Sequence, residues 1–104
     1  GPFVKEFENK FSSFVDRTYG VAVANGSAAL DIAVAALEIG EGDEVILPTH
    51  TIISCAASVV RSGAVPELVD SDPLTGNMDV KQSKEKMTKK TSTTTCTITK
   101  QFEI

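Results

Sequence analysis

The chain has 104 residues, of which 41% are hydrophobic and 23% are charged, and its formal net charge is −4. These values are typical of one small globular domain and argue against wholesale disorder. No apolar run approaches the roughly 20 residues that cross a bilayer, so we expect no membrane span. The acidic balance disfavours nucleic acid as a partner. Cys55 and Cys96 match no metal-ligand spacing, and we expect two reduced thiols in a cytoplasmic protein.

The first predicted element is an amphipathic helix over residues 3–16. Its phenylalanines recur at spacings of four, four and three residues, at Phe3, Phe7, Phe11 and Phe14. A stripe with this period lies along one face of a helix, and polar residues occupy the opposite face. We expect the phenylalanine face to pack into the core of the domain.

A strand and a helix follow. The short apolar run VAVA at residues 21–24 predicts a buried strand. Leucine, valine and alanine then recur at helical spacing over residues 28–37, and Gly40 and Gly42 are expected to stop that helix.

The remaining elements continue the alternation, with strands over 44–47 and 65–69 and helices over 51–61 and 80–87. Gly63 is expected to close the first of these helices, and Asp79 to cap the second. Strands that alternate with helices in this way predict an α/β fold, a βαβαβ arrangement with a mostly parallel sheet.

The last part of the chain has a different character. Residues 1–80 carry four Lys/Arg and twelve Asp/Glu, whereas residues 81–104 carry six Lys and two Glu. Residues 91–99 are mostly threonine, without the Val, Ile and Leu of a buried parallel strand. We therefore divide the chain into residues 1–82 and a Lys/Thr-rich tail, 83–104, whose composition fits either a ragged strand or disorder.

The segment most suggestive of chemistry is VANGSAAL at residues 23–30. Here a predicted strand ends, Gly26 allows a turn, and Ser27 lies where a helix begins. Free backbone N–H groups and the helix dipole meet at such a point and favour an anion. Ser27 either caps the helix or donates its hydroxyl to a phosphate, and both interpretations stay open.

Two further loops follow predicted strands. Residues 48–51 come after the second strand, and Asp70 and Asp72 come after the third, so all three loops should open towards one edge of the sheet. His50 has no identifiable partner and is expected to be an ordinary loop histidine rather than a proton shuttle. Asp70 and Asp72 are expected to shape a turn rather than to bind a metal.

Four segments together resemble one family. They are GPFVKEFE at 1–8, AVANGSAAL at 22–30, GEGDEVILP at 40–48 and GAVPELVD at 63–70. In this order they resemble the DegT/DnrJ/EryC1/StrS aminotransferases, especially the perosamine-synthase-type members, over about residues 1–82. The resemblance implies the N-terminal part of the large domain of a fold type I enzyme that uses pyridoxal 5′-phosphate (PLP).

The resemblance also implies site residues and partners. Gly26, Ser27 and Ala28 would hold the cofactor phosphate, and Ile52 would cover the pyridine ring where relatives often have an aromatic residue. From its apolar helical context alone, Ile52 is equally an ordinary helix-core residue. Asn25 and Ser54 would lie near the site. The implied full-length protein is a homodimer that takes a nucleotide-linked 4-keto-6-deoxy sugar and an amino donor, in nucleotide-sugar, O-antigen or related polysaccharide biosynthesis.

The sequence supplies no catalytic residue for this chemistry. The family's Schiff-base lysine and the acid that partners the pyridine nitrogen lie downstream of the matched region, and none of the lysines present matches the lysine motif. We expect the 104 residues alone to be inactive. Two alternatives remain, a non-catalytic phosphate- or nucleotide-binding α/β module and an inert truncated remnant. The choice between an aminotransferase and a dehydratase relative also stays open.

Overall fold

The computed structural model describes residues 1–88 and the backbone of residues 91–94. It contains α1 (Pro2–Phe14), α2 (Gly26–Ala36), β1 (Glu44–Pro48), α3 (Ile53–Ser62), β2 (Val65–Val69), α4 (Val80–Lys86) and β3 (Thr91–Thr94). Part of the predicted tail, residues 89, 90 and 95–104 with Cys96, lies outside the described residues. None of the described helices is long and apolar enough to cross a membrane.

The described strands form one parallel sheet in the order β2-β1-β3. The predicted α/β class is confirmed. The strand predicted over 21–24 is wrong, because no described strand pairs with that segment and Ala22 N–H donates instead to Glu8 Oε1 at 2.8 Å. A strand needs a neighbour to accept its hydrogen bonds, and local apolar character does not supply one. The third strand is β3, in the threonine-rich tail, and its register against β1 shifts between Glu44 and Val45.

The core is built around β1, whose Val45, Ile46 and Leu47 are fully buried. Side chains alternate along a strand, so Val45 and Leu47 face one side of the sheet and Ile46 the other. One cluster on the first side comprises Leu30, Val34, Ile39, Val45, Leu47, Cys55, Val59 and Ala64, and the cluster on the other comprises Ile46, Val69 and Met78. Each large side chain buried in this way stabilises the fold by about 1.5–3 kcal/mol.

α1 does not join this core. Its phenylalanines are exposed by 82% at Phe3, 56% at Phe7, 50% at Phe11 and 84% at Phe14, so the predicted core packing is wrong. The helix contacts the body through its other side. Ser12 is buried there, and a Cβ on Gly20 would lie 2.9 Å from the Glu8 carbonyl oxygen, so only glycine fits at that crossing.

Of the three helix ends for which the sequence analysis named a capping or stop residue in α2, α3 and α4, two are confirmed. Asp79 caps α4 by accepting from Lys81 N at 2.8 Å and Gln82 N at 3.0 Å. Gly63 ends α3 in the left-handed region, at φ +91°. α2, however, ends at Ala36, and the left-handed residue behind it is Glu38 at φ +56°, not a glycine. The prediction that Gly40 and Gly42 stop this helix is wrong.

β2 lies at one edge of the sheet. The Val65 N–H points towards β1 and donates to the Asp43 carbonyl at 2.9 Å. Because backbone directions alternate along a strand, the next residue, Pro66, faces outwards. The outer edge of β2 therefore has no N–H at this position.

Candidate anion site at two helix N-termini

Asn25 is the N-cap of α2. Its backbone is extended, at φ −166° and ψ 172°, and its Oδ1 accepts from the Ala28 N–H at 2.9 Å. An oxygen in this position satisfies one of the amide groups that every helix leaves unpaired in its first turn. The possibility that Ser27 caps the helix is therefore wrong, and its hydroxyl is available for another contact.

That contact joins two helices. Ser27 Oγ and Ser54 Oγ lie 2.8 Å apart although 27 residues separate them in the chain. Ser27 belongs to the first turn of α2 and Ser54 to the first turn of α3, so the two N-termini converge at this pair of hydroxyls. The positive ends of both helix dipoles meet there.

Four backbone N–H groups at this point have no acceptor within the part of the chain that the structure describes. They belong to Gly26 and Ser27 on α2 and to Ile53 and Ser54 on α3. The space beside Gly26 is open, because a Cβ placed there would meet no atom within 4 Å. Unpaired N–H groups, hydroxyls and two dipole ends are the donors that a phosphate requires. The residues present therefore fit the phosphate group of PLP.

Ile52 is the N-cap of α3 and makes no side-chain capping bond. Its side chain is 63% exposed, and that of Ile53 beside it is also exposed, so the helix-core interpretation of Ile52 is wrong. Together they leave an apolar surface next to the two hydroxyls. An aliphatic side chain here can cover a ring by van der Waals contact without an aromatic stacking contribution.

The loops that follow β1 and β2 adjoin each other, as parallel strands require. Thr49 N–H donates to the Val69 carbonyl at 2.8 Å, and His50 N–H donates to Ser71 Oγ at 3.4 Å. His50 is exposed, as expected of a loop histidine. Among the described residues, no group of His, Cys, Asp and Glu is arranged to hold a metal ion.

The two aspartates after β2 shape the local chain, as predicted. Asp72 Oδ1 accepts from Leu74 N at 2.7 Å and Thr75 N at 3.2 Å. Asp70 and Gln82 exchange two hydrogen bonds, of 3.1 Å and 3.0 Å, which tie α4 to the end of β2.

A surface ion pair links α2 and α3. Arg61 Nη2 lies 2.7 Å from Asp31 Oδ1, and its Nε donates to the same oxygen at 3.3 Å. The hydrogen bond from Arg61, assisted by one from Ser58, lowers the pKa of Asp31 below its ordinary 3.8. This pair links the two helices whose first turns carry Ser27 and Ser54.

Sequence reasoning placed Gly26, Ser27, Ala28 and Ile52 in one site, and it held Asn25 and Ser54 only as neighbours. The structure brings the serines together and gives Asn25 the capping role. The Ala28 N–H is already occupied and becomes available to a phosphate only when the Asn25 side chain leaves it. The sequence feature that could have identified Ser54 is a hydroxyl residue near a helix start that follows a predicted strand, the same feature that pointed to Ser27.

Comparison with known proteins decides the family. The model of the DegT/DnrJ/EryC1/StrS aminotransferase family matches residues 1–97. The chain belongs to this family. GDP-perosamine synthase of Escherichia coli O157:H7 is 43% identical over 96 residues, which are 92% of this chain and 26% of that protein.

Solved structures of related enzymes share the fold. An aminotransferase from Psychrobacter cryohalolentis superposes with a TM-score of 0.82 at 42% identity, over 88% of this chain and 23% of its own. E. coli GDP-4-keto-6-deoxy-D-mannose-3-dehydratase with bound hydrated PLP superposes at 0.80 and 30% identity, over 86% of this chain and 25% of its own. The chain thus spans about a quarter of the length of the family members it matches, and its architecture is part of the fold of these PLP enzymes.

Proposed function

We propose that this chain is the part of a PLP-dependent sugar aminotransferase that holds the cofactor phosphate, and that its 104 residues are inactive alone. The observation that carries the proposal is the convergence of two helix N-termini at Ser27 and Ser54, whose hydroxyls lie 2.8 Å apart beside unpaired N–H groups. Membership of the family supports an aminotransferase activity for the parent protein.

Each site residue has one task in this proposal. The N–H groups of Gly26 and Ser27 and the Ser27 hydroxyl donate to the phosphate oxygens, and Ser54 orients that hydroxyl. Ile52 excludes water from one face of the pyridine ring. When bound, PLP supplies an electron sink for the chemistry at the substrate carbon. This chain's residues anchor and orient the cofactor through the phosphate.

The reacting groups are proposed to come from the rest of the parent protein. Every described lysine is exposed, and Lys10 and Lys86 are engaged with Glu6 and Glu67. A nucleophilic lysine needs a desolvated setting, and each of these side chains is open to water. No described lysine therefore has the environment of a catalytic one.

For the parent we propose a nucleotide-linked 4-keto-6-deoxy sugar as acceptor, a separate amino donor, a homodimeric and cytoplasmic enzyme, and a role in nucleotide-sugar, O-antigen or related polysaccharide biosynthesis. The names of the related GDP-perosamine synthase and GDP-4-keto-6-deoxy-D-mannose-3-dehydratase support a nucleotide-linked sugar. A dehydratase shares the same fold over the matched region, so amination rests on the family and on the perosamine synthases.

The phosphate site is tested with pyridoxine 5′-phosphate, which has the ring and phosphate of PLP but no aldehyde to react with surface lysines. Titration calorimetry should show binding to the chain, and unphosphorylated pyridoxine should bind far more weakly. Ser27→Ala removes a hydrogen bond to a charged group and should weaken binding about tenfold. Ser13→Ala, an exposed serine of α1, is the matched control. Equal affinities for Ser27→Ala and the control would refute the assignment.

Inactivity is tested separately. The chain is incubated with PLP, an amino acid and a nucleotide-linked 4-keto sugar, and amino-sugar formation is compared with PLP alone. No excess product is expected. Product above that reference, abolished by substitution of one lysine, would overturn the inactive part of the proposal and leave the phosphate site intact. A chain that binds the analogue normally but forms no product also fits a non-catalytic binding module. A chimaera distinguishes an aminotransferase segment from a non-catalytic binding module. Residues 1–97 of this chain replace the matched region of the E. coli perosamine synthase, and only an aminotransferase segment should restore turnover.

A further inference from the structure

Glu8 joins α1 to the chain segment that leads to the anion site. Its Oε1 accepts a hydrogen bond from the Ala22 N–H at 2.8 Å, across 14 residues of chain. Residues 15–25 connect α1 to α2 and contain no helix or strand. Ala22 precedes the N-cap Asn25 by three residues, a span of at most about 11 Å even when fully extended. A displacement of Ala22 is therefore passed on to the first turn of α2.

The connection between the two helices has few other supports. Among the backbone amides of residues 18–24, only that of Ala22 has an acceptor within the residues that the structure describes. Outside a helix or a sheet no ladder of hydrogen bonds holds the backbone, so its position depends on individual contacts of this kind. The hydrogen bond from Ala22 to Glu8 is therefore the polar contact that fixes this stretch of chain.

Close packing determines where the connection crosses α1. A Cβ on Gly20 would lie 2.9 Å from the Glu8 carbonyl oxygen and 3.4 Å from Ser12 Cβ. Glu8 and Ser12 are four residues apart and lie on one face of the helix, and Ser12 is buried. The chain thus touches α1 at Gly20 and receives the Glu8 hydrogen bond two residues later. The two contacts together fix both the distance of this segment from α1 and its position along the helix.

The charge of Glu8 strengthens this contact. None of the ion pairs in the described part of the chain includes Glu8, whereas the exposed Glu6 of the same helix pairs with Lys10 at 2.7 Å. A hydrogen bond from an amide to an ionised carboxylate is roughly twice as strong as one between neutral groups. Glu8 is also half-buried, so water competes less for its carboxylate than for that of Glu6. The Ala22 amide is therefore held firmly.

We propose that Glu8 is a positioning residue of the anion site, which acts through Ala22 and touches no ligand itself. The turn between Ala22 and α2 is held at both ends, by the Glu8 carboxylate at one and by the capping bond of Asn25 at the other. The unpaired N–H groups of Gly26 and Ser27 follow directly, and their alignment depends on where this turn is held. α1 thereby supports the phosphate-binding turn. This inference rests on the proposed function for the identity of the ligand.

Titration calorimetry of the full chain with pyridoxine 5′-phosphate tests this role. Glu8→Ala removes the acceptor and should weaken binding about fivefold, within the range for residues that act on a site without touching its ligand. Glu8→Gln keeps a carbonyl oxygen on a side chain of the same length and similar helix propensity, so it should bind nearly as the unaltered chain does. Glu6→Ala removes an exposed carboxylate from the same helix, and this matched control should leave the affinity unchanged.

Amide nuclear magnetic resonance spectra of the ligand-free chain give a second readout. Faster hydrogen exchange at Ala22 in Glu8→Ala reports the lost contact, and shifted Gly26 and Ser27 resonances report the displaced turn. Glu8→Gln and Glu6→Ala should show neither change. A residue that only stabilised the fold would lower the free energy of unfolding and leave those resonances and the affinity of the folded chain unaltered. If circular dichroism shows that Glu8→Ala loses helix, Glu8→Asp, which keeps the charge and withdraws the oxygen by one methylene, replaces it with the same expected results.

Three results would overturn the proposal. The first is a Glu8→Ala variant that binds the analogue as tightly as Glu6→Ala does. The second is a Glu8→Gln variant that binds as weakly as Glu8→Ala, which would make the charge rather than the hydrogen bond the cause. The third is a set of Gly26 and Ser27 resonances that Glu8→Ala leaves in place. Failure of the proposed function is a different outcome, in which the unaltered chain binds pyridoxine 5′-phosphate no better than pyridoxine, and the resonances alone then decide whether Glu8 positions the turn.

Discussion

Replacing Asn25 with Asp separates the stability of α2 from its capacity to bind an anion. The Asn25 Oδ1 accepts the Ala28 N–H at 2.9 Å, and a carboxylate oxygen can accept the same hydrogen bond. Asp and Asn are equally good N-caps, and a negative charge at a helix N-terminus adds about 0.3–1 kcal/mol. The free energy of unfolding should therefore stay level or rise slightly.

Phosphate binding should change in the opposite direction. The added carboxylate lies beside the N–H groups that would hold the phosphate. Two like charges about 4 Å apart repel by about 1 kcal/mol in water and about 4 kcal/mol at the lower dielectric of a protein surface. One kcal/mol at 25 °C is about a fivefold change in affinity, so pyridoxine 5′-phosphate should bind at least about fivefold more weakly. The loss should shrink in high salt, which screens exposed charges.

Two comparisons complete this experiment. Asn9→Asp adds the same charge on exposed α1, away from the site, and should leave affinity unchanged. Asn25→Ala loses the cap and should cost about 1 kcal/mol of stability, while it frees the Ala28 N–H for the ligand. The assays are chemical denaturation and titration calorimetry on the same samples. If Asn25→Asp binds the analogue as well as Asn9→Asp does, the phosphate does not lie at the α2 N-terminus.

Three further predictions concern the fold. Leu47→Ala empties a fully buried position of β1 and should lower the free energy of unfolding by about 2–5 kcal/mol in urea denaturation; a smaller loss would mean that the core is not centred on β1. Gly63→Ala forces a left-handed conformation on alanine and should cost about 1–2 kcal/mol, whereas Gly1→Ala, whose Cβ would contact nothing, should cost nothing. The lowered pKa of Asp31 predicts a stabilising contribution that is complete above pH 3.8 and lost as pH falls through the lower folded value. Asp31→Asn should lower the free energy of unfolding at pH 5–8 slightly, flatten this acid limb and leave the slope over pH 5–8 unchanged. An unaltered limb would show that the Arg61 pair does not form.

The sequence predicted those parts of the fold that local rules determine. α4 is the clearest case, because Asp79 precedes a helical segment and its carboxylate caps the first turn as expected. The strand predicted over 21–24 failed because pairing depends on a neighbour, which no local run of apolar residues can reveal. Periodicity likewise identified the apolar face of α1, but the inference that this face packs into the core was wrong, because periodicity does not reveal what covers a face.

The candidate site was likewise predictable from the sequence only in part. Glycine and serine after an apolar run indicated where α2 starts. The helix begins at Gly26, one residue before Ser27, and its N-cap is Asn25. The contact between Ser27 and Ser54 depends on how α2 packs on α3, which a sequence separation of 27 residues does not disclose. Family resemblance named the residues of the proposed site, and packing shows that two of them, Ser27 and Ser54, are in contact.

Pro66, at the outer edge of β2, makes the two edges of the sheet unequal as places for a further strand to pair. A strand added beside β2 would find no N–H at Pro66, the position that faces outwards, and would lose one hydrogen bond of its ladder. β3, at the other edge, has no proline among Thr91–Thr94. Addition of a further strand, whether from the same polypeptide or from a neighbour, is therefore favoured on the side of β3 rather than beside β2.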